Sequence, residues 1–311
     1  MKVLGIHHVT AVSAKINQNL DFYTGMMGMR MVKKSVNQDD VSAYHLFYAD
    51  AVGSPGTDLT FFDWPQIQPN RPGLASVALI SLRVPGAALD AWEKRLNEGG
   101  VEVNRGVDLA GRDRLLFVDP EGQRLALVDD TGLAGETAPW TQSVSAEMAT
   151  RGILGVDIDS ARPDSTRKVL TDILGYEDVD GARFILNGES HASELVVREP
   201  EDRGFAMVGA GGVHHVAFGV RNDEELFAFQ DKIESAGFRT SGYVDRFYFH
   251  SLYFREPGGV LFELATEGPG FASDEDADHL GEKLALPPFL EAKRTSIEAN
   301  LKPLSKPAYL E

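Results

Sequence analysis

Apolar positions along the chain follow two rhythms, strand-like alternation and helical spacing, in an order that repeats. A β-rich run at residues 3–12, VLGIHHVTAV, is followed by NQNLDFYTGMMGM. There Leu20, Tyr23 and Met27 fall at helical spacing, with Gly25 and Gly28 near the end. The succession returns at residues 211–220, GGVHHVAFGV, followed by DEELFAFQDKIESAGF, with Leu226, Phe229, Ile233 and Phe238 at helical spacing and Gly237 as terminator. Three strand-like pieces come next, within RTSGYVDRFYF, HSLYFREP and GVLFELAT, the last two joined by a Pro-Gly-Gly turn. Between these copies, SVALISLRV, AALDAWEKRLNEGG and LLFVDPEGQRLALVDD give a second unit, and ILGVDIDS, TRKVLTDILGY, ARFILNG and ASELVVRE a third. The pattern predicts an α+β chain of four βαβββ modules, at about 1–65, 75–130, 149–200 and 211–267.

The small-residue stretch GLAGETAPWTQSVSAEM reads as a link, dividing the chain into 1–133 and 149–267 with two modules each. Beyond it, 268–311 forms a C-terminal tail. Its acidic SDEDADH is expected to be mobile, and LPPFLEAKRTSIEANLKPL to be one helix starting at Pro287 and Pro288. Leu290, Ile297 and Leu301 would turn that helix towards the sheets.

The fourfold order resembles the vicinal oxygen chelate superfamily of glyoxalases, extradiol dioxygenases and antibiotic-resistance proteins, from about Met1 to Thr266. The resemblance implies modules paired into two open mixed-sheet barrels curled around a metal.

Composition narrows the partners. The formal charge of −17 makes nucleic acid and anionic membranes poor partners. With no cysteine, disulfides, thiolate metal sites and cysteine nucleophiles are excluded. No apolar run is long enough for a signal peptide or a membrane span, so a cytoplasmic enzyme is expected. Open barrel edges also suggest a homo-oligomer.

The repeats expose candidate ligands. His8 and His215 match on the first strands of modules one and four, where modules two and three carry Leu79 and Gly155. Aligning EPGGVLFEL with DPEGQRLAL and SPGTDLTFF sets Ala126 and Phe61 opposite Glu263. If the ligands meet, modules one and four share a barrel. Two imidazoles and a carboxylate form the donor set of non-haem Fe(II) oxygenases, and Mn(II) suits it almost as well. Neighbouring strand residues face opposite ways, so one His of each pair should bind, though periodicity does not choose which. A lone strand histidine is usually a hydrogen-bonded core residue; two His-His pairs at equivalent places, with a Glu in an apolar strand, argue for metal.

HHVTAV, GGVHHVAF, DRFYFHSLYFREPGGVLFELAT and LPPFLEAKR together resemble the hydroquinone-type ring-cleaving dioxygenases. Catechol extradiol enzymes take their first histidine from the third module, where this chain has Gly155. The resemblance implies that His8, His215 and Glu263 hold Fe(II), that His7 and His214 stand behind the ligands, and that Thr10, Arg246 and Tyr253 face the substrate. The implied reaction opens a substituted hydroquinone with O2. In it His214 accepts the proton of the metal-binding hydroxyl, Arg246 steadies developing charge and Tyr253 hydrogen-bonds the substrate. His250, close in sequence to Tyr253, is a further candidate proton carrier, or simply a turn histidine. Rival readings are a catechol-type enzyme, a glyoxalase-like isomerase or lyase, which uses four protein ligands, and a resistance-type binding protein.

Overall fold

The computed structural model describes residues 1–135, 138–187, 192–200 and 203–310. Module one is β1 (Ile6–Ser13), α1 (Ile16–Leu20) continuing into a π-helical turn at Asp21–Met26, then β2 (Arg30–Asn37), β3 (Asp40–Ala49) and β4 (Asp58–Asp63). Leu20, Tyr23 and Met27 are fully buried, as their spacing predicts, and Gly28 leaves the helical segment at φ 68°.

Module two runs β5 (Ser76–Val84), α2 (Leu89–Glu98), β6 (Asn104–Val107), β7 (Asp113–Val118) and β8 (Arg124–Asp129). Module three runs β9 (Ile153–Asp159), α3 (Pro163–Lys168), β10 (Glu177–Asp178), β11 (Arg183–Asn187) and β12 (Ala192–Arg198). Module four runs β13 (Gly212–Val220), α4 (Asp223–Ser235), β14 (Thr240–Asp245), β15 (Phe249–Arg255) and β16 (Leu261–Pro269). The Asn222 side chain caps α4 by accepting from the Glu225 N–H, and Asp223, Glu224 and Glu225 set negative charge against the positive end of the helix dipole.

These modules assemble two eight-stranded mixed sheets. One has the order β14-β15-β16-β13-β1-β4-β3-β2, the other β10-β11-β12-β9-β5-β8-β7-β6. Within each module the first strand lies parallel to the last, and modules meet through antiparallel first strands, β1 with β13 and β5 with β9. Modules one and four therefore share the outer sheet, and modules two and three the inner one. The division at the 134–148 link, with modules one and two on one side and three and four on the other, is not the division between the sheets.

The β1–β13 seam carries the feature that shapes the site. Ile6 faces Phe218 and His8 faces Ala217; Thr10 faces His215 and Ala11 faces Val213. One residue on each strand, His7 and His214, is thus extra, the arrangement of a β-bulge. The inner seam has the same irregularity at Ala78 and Leu154.

The tail departs from the sequence reading in two ways. The acidic stretch is anchored, because the buried Lys33 ammonium bonds Asp274 at 2.8 Å, Glu275, and the Phe271 carbonyl at 3.0 Å. The expected single helix is two short ones, α5 (Pro288–Glu291) and α6 (Arg294–Asn300). Leu290 and Ile297 still pack on Val36 of β2, as their spacing implied.

Candidate metal centre

His8 on β1, His215 on β13 and Glu263 on β16 converge at the middle of the outer sheet. Their ligand atoms lie within 4.8 Å of one another, the one such cluster of three or more among the described residues. Glu263 Oε2 is 2.9 Å from His215 Nε2 and 3.3 Å from His8 Nε2, and the two Nε2 atoms are 3.3 Å apart. All three side chains are buried, Glu263 completely. Ser251 Oγ donates to Glu263 Oε1 at 2.5 Å, whereas Oε2, equally buried, makes no well-formed hydrogen bond.

The bulges explain the aim of the imidazoles. His7 Nδ1 lies 2.9 Å from His8 Nδ1, and His214 Nδ1 lies 2.8 Å from His215 Nδ1. With each ligand ring giving its Nδ1 proton to its neighbour, both Nε2 lone pairs point at the carboxylate oxygen. Three acceptors facing one buried point repel unless a cation sits among them, so this donor set fits a divalent metal. Burial draws the His215 imidazole below the ordinary histidine range despite the opposing pull of Glu263. For Glu263, burial works to raise the carboxyl, but the imidazoles of His8 and His215 outweigh it and hold it well below the usual range. His215 is thereby set as a neutral imidazole beside an ionised carboxylate.

A small cavity opens over this cluster. Arg246 and Tyr253 stand on one wall, with Arg246 Nε donating to the Tyr253 hydroxyl at 3.3 Å and its guanidinium 2.9 Å from Asp39. Burial, and then the charge of Glu263, push the Tyr253 hydroxyl up, keeping it protonated. Phe249 covers His8 with its ring 5.2 Å away. On the opposite wall stands His45, a residue the sequence reading did not single out. Burial, then the neighbouring His8 and His215, hold the His45 imidazole well below its usual range and hence neutral.

The family model described as Glyoxalase/Bleomycin resistance protein/Dioxygenase superfamily matches residues 5–127 and 151–264. The chain belongs to this superfamily. Its full-length relatives place it on the ring-cleaving dioxygenase branch. The Bacillus subtilis (strain 168) protein named "Putative ring-cleaving dioxygenase MhqA" is 47% identical, covering 98% of this chain and 100% of that protein. The chlorohydroquinone/hydroquinone 1,2-dioxygenase of Sphingobium indicum is 28% identical over 95% of each chain. A crystal structure of a "putative dioxygenase from Bacillus subtilis subsp. subtilis str. 168" superposes with a TM-score of 0.91 at 38% identity, covering 98% of both chains.

In superfamily terms, strand register settles which residue stands where a fourth ligand would. Glu263 pairs with Ala217, two residues beyond His215; the equivalent partner of Thr10, two beyond His8, is Thr60. The expectation that Phe61 fills this slot is therefore off by one. Phe61 instead points into the core against Tyr23 and Tyr48. The misalignment has a local cause. Asp119 and Glu256 hold the turns before β8 and β16 by accepting from backbone N–H groups, and Asp50 does this before β4. The SPG segment is extra chain after that turn, so matching it to EPG shifts the register.

Other sequence candidates are distributed unevenly. Thr10 is fully buried and reaches the cavity only through Thr60, whose Oγ1 is 2.8 Å away and bonds His45 Nε2 at 2.9 Å. His214 does not line the cavity; it stands behind His215 with its ring edge-on to Phe62 and Trp64. His250 lies on the other face of β15, its Nδ1 2.5 Å from Asp223 at the start of α4, because strand neighbours alternate and Phe249, Ser251 and Tyr253 take the inner face. His250 therefore faces away from the cavity and has no path to carry protons there.

Proposed function

We propose that the protein is a non-haem Fe(II) dioxygenase that opens the ring of a substituted hydroquinone, placing both atoms of O2 in the product. The observation carrying this reading is the convergence of His8, His215 and Glu263 at the floor of an aromatic-walled cavity, with Glu263 Oε2 left facing two imidazoles. Full-length similarity to proteins named as ring-cleaving and hydroquinone dioxygenases supports the chemistry. Fe(II) bound by these three side chains would supply the redox coupling between an electron-rich ring oxygen and dioxygen; Mn(II) suits the same donors.

The rest of the reaction falls to the chain. His7 and His214 hold the ligand rings in one tautomer and orientation. Phe47, Phe62 and Phe249 line the cavity, matching a flat aromatic substrate and excluding water from the floor. Arg246, fixed by Asp39, presents a permanent positive charge where negative charge grows on the attacked ring, and protonated Tyr253 is a donor beside it. Thr60, where a carboxylate would be a fourth ligand, argues against a glyoxalase-like isomerase.

Anaerobic loading with Fe(II), followed by oxygen uptake with methylhydroquinone, chlorohydroquinone and catechol, tests this reading. Uptake with a hydroquinone, with loss of its aromatic absorbance, is expected. Uptake with catechol alone would assign a catechol-type enzyme. Stoichiometric metal without uptake would leave an isomerase or a binding protein.

A further inference from the structure

The two halves of the outer sheet are related as repeats, yet their cavity-facing residues differ. Glu263 in one half corresponds to Thr60 in the other, and Ser251, opposite Ala265, corresponds to His45, opposite Phe62. Ser251 is spent on Glu263. His45 is instead anchored through Nε2 to Thr60 and on to Thr10, and its ring lies between those of Phe47 and Phe62, with centroids at 4.0 and 4.4 Å.

The other polar side chains of the cavity wall are engaged. Ser35 donates to the Ala285 carbonyl, Asn37 accepts from the Asp39 N–H, and Gln38 donates to the Arg246 carbonyl. Tyr248 donates to Asp274, and Asp39 and Tyr253 both bond Arg246. His45 Nδ1 has no partner among the described residues. A para diol cannot bring both hydroxyls to one metal, so its second hydroxyl needs a separate partner inside the cavity.

We propose that His45 is a specificity-determining residue whose Nδ1 hydrogen-bonds the second hydroxyl of the diol, with Thr60 and Thr10 holding its ring in place. This rests on the ring-cleaving reading above and adds to it the group that distinguishes a diol from a monophenol. A polar group left unpaired in such a site costs affinity, so a ligand lacking the hydroxyl is penalised.

Equilibrium binding to the Fe(II)-loaded protein without oxygen, by calorimetry with hydroquinone and with phenol, tests it without turnover. The wild type is expected to bind hydroquinone about tenfold more tightly than phenol. His45→Phe should erase that preference while phenol affinity stays nearly constant. His45→Gln should restore part of it, and Thr60→Val, which frees the ring without altering it, should fall between. A preference retained in His45→Phe, or equal weakening of both ligands, would overturn the assignment alone. Failure of the wild type to bind hydroquinone at all would overturn the parent reading with it.

Discussion

Glu263 and Thr60 occupy equivalent places on the two halves of one sheet, each beside the strand position two residues beyond a ligand histidine. One is a charged donor and the other a short hydroxyl, so the proposed centre would have three protein ligands and an open side. That asymmetry makes the carboxylate indispensable. Glu263→Gln keeps the shape but replaces the anion with an amide. Metal retained after dialysis, measured by mass spectrometry, should drop to background, with turnover lost in parallel; His8→Ala should behave alike. Full metal content in either variant would remove the proposed ligand set.

On the proposed reading, His7 and His214 would act on the metal through the rings of His8 and His215 that they hold. His7→Phe and His214→Phe are expected to weaken Fe(II) affinity by about 10–100-fold while leaving the circular dichroism spectrum unchanged. Competition with a coloured chelator reads the affinity. Unchanged affinity in both would mean that the paired Nδ1 atoms do not orient the ligands.

Stability of the metal-free protein should depend on pH with a defined sign. Burial holds the imidazoles of His45, His214 and His215 below the usual histidine range, His214 at about 4. An unfolded chain takes up protons on these groups near pH 6.5 while the folded chain resists, so acid favours unfolding from about pH 6.5 downward. Glu263, held well below its usual range, keeps its contribution through that window and loses it only at lower pH. The thermal midpoint should therefore fall between about pH 7 and 4.5, and His214→Gln should flatten the fall. A wild-type midpoint independent of pH across this interval would contradict the neutral, buried histidines.

Lys33 is fully buried between the Tyr248 ring, 4.5 Å below it, and the tail carboxylates of Asp274 and Glu275. Lys33→Ala leaves those acids without their partner and opens a gap under the tail. A loss of about 3 kcal/mol in urea denaturation is expected, with faster proteolysis after residue 270. An unchanged midpoint would show that the tail is held by its apolar contacts alone.

Much of this arrangement is legible in the sequence because the repeats can be laid on one another. The positions of His8, His215 and Glu263 relative to their apolar counterparts Leu79, Gly155 and Ala126 point to modules one and four as partners, and the sheet order has that pairing. Thr60 was hidden by three residues of extra chain after the Asp50 turn, which matched the wrong motif. His45 was hidden for another reason. A single histidine inside YHLFY has the look of strand packing, and only the cross-sheet register puts it opposite Phe62 and over the cavity. His250 shows the converse: nearness in sequence to Tyr253 says nothing about facing when the strand alternates.

The pairing of modules one and four has a consequence for the order in which the molecule comes into being. His8 and His215 are separated by 207 residues, and Glu263 lies further still. A growing chain that has emerged only as far as Arg198 holds every strand of the inner sheet but one of the three donors. During synthesis the inner pair is complete while β1 still waits for β13, its edge open and its histidines unmatched. The metal proposed for this centre would then meet a competent trap only after nearly the whole protein has been made, when the surrounding walls are ready to enclose it.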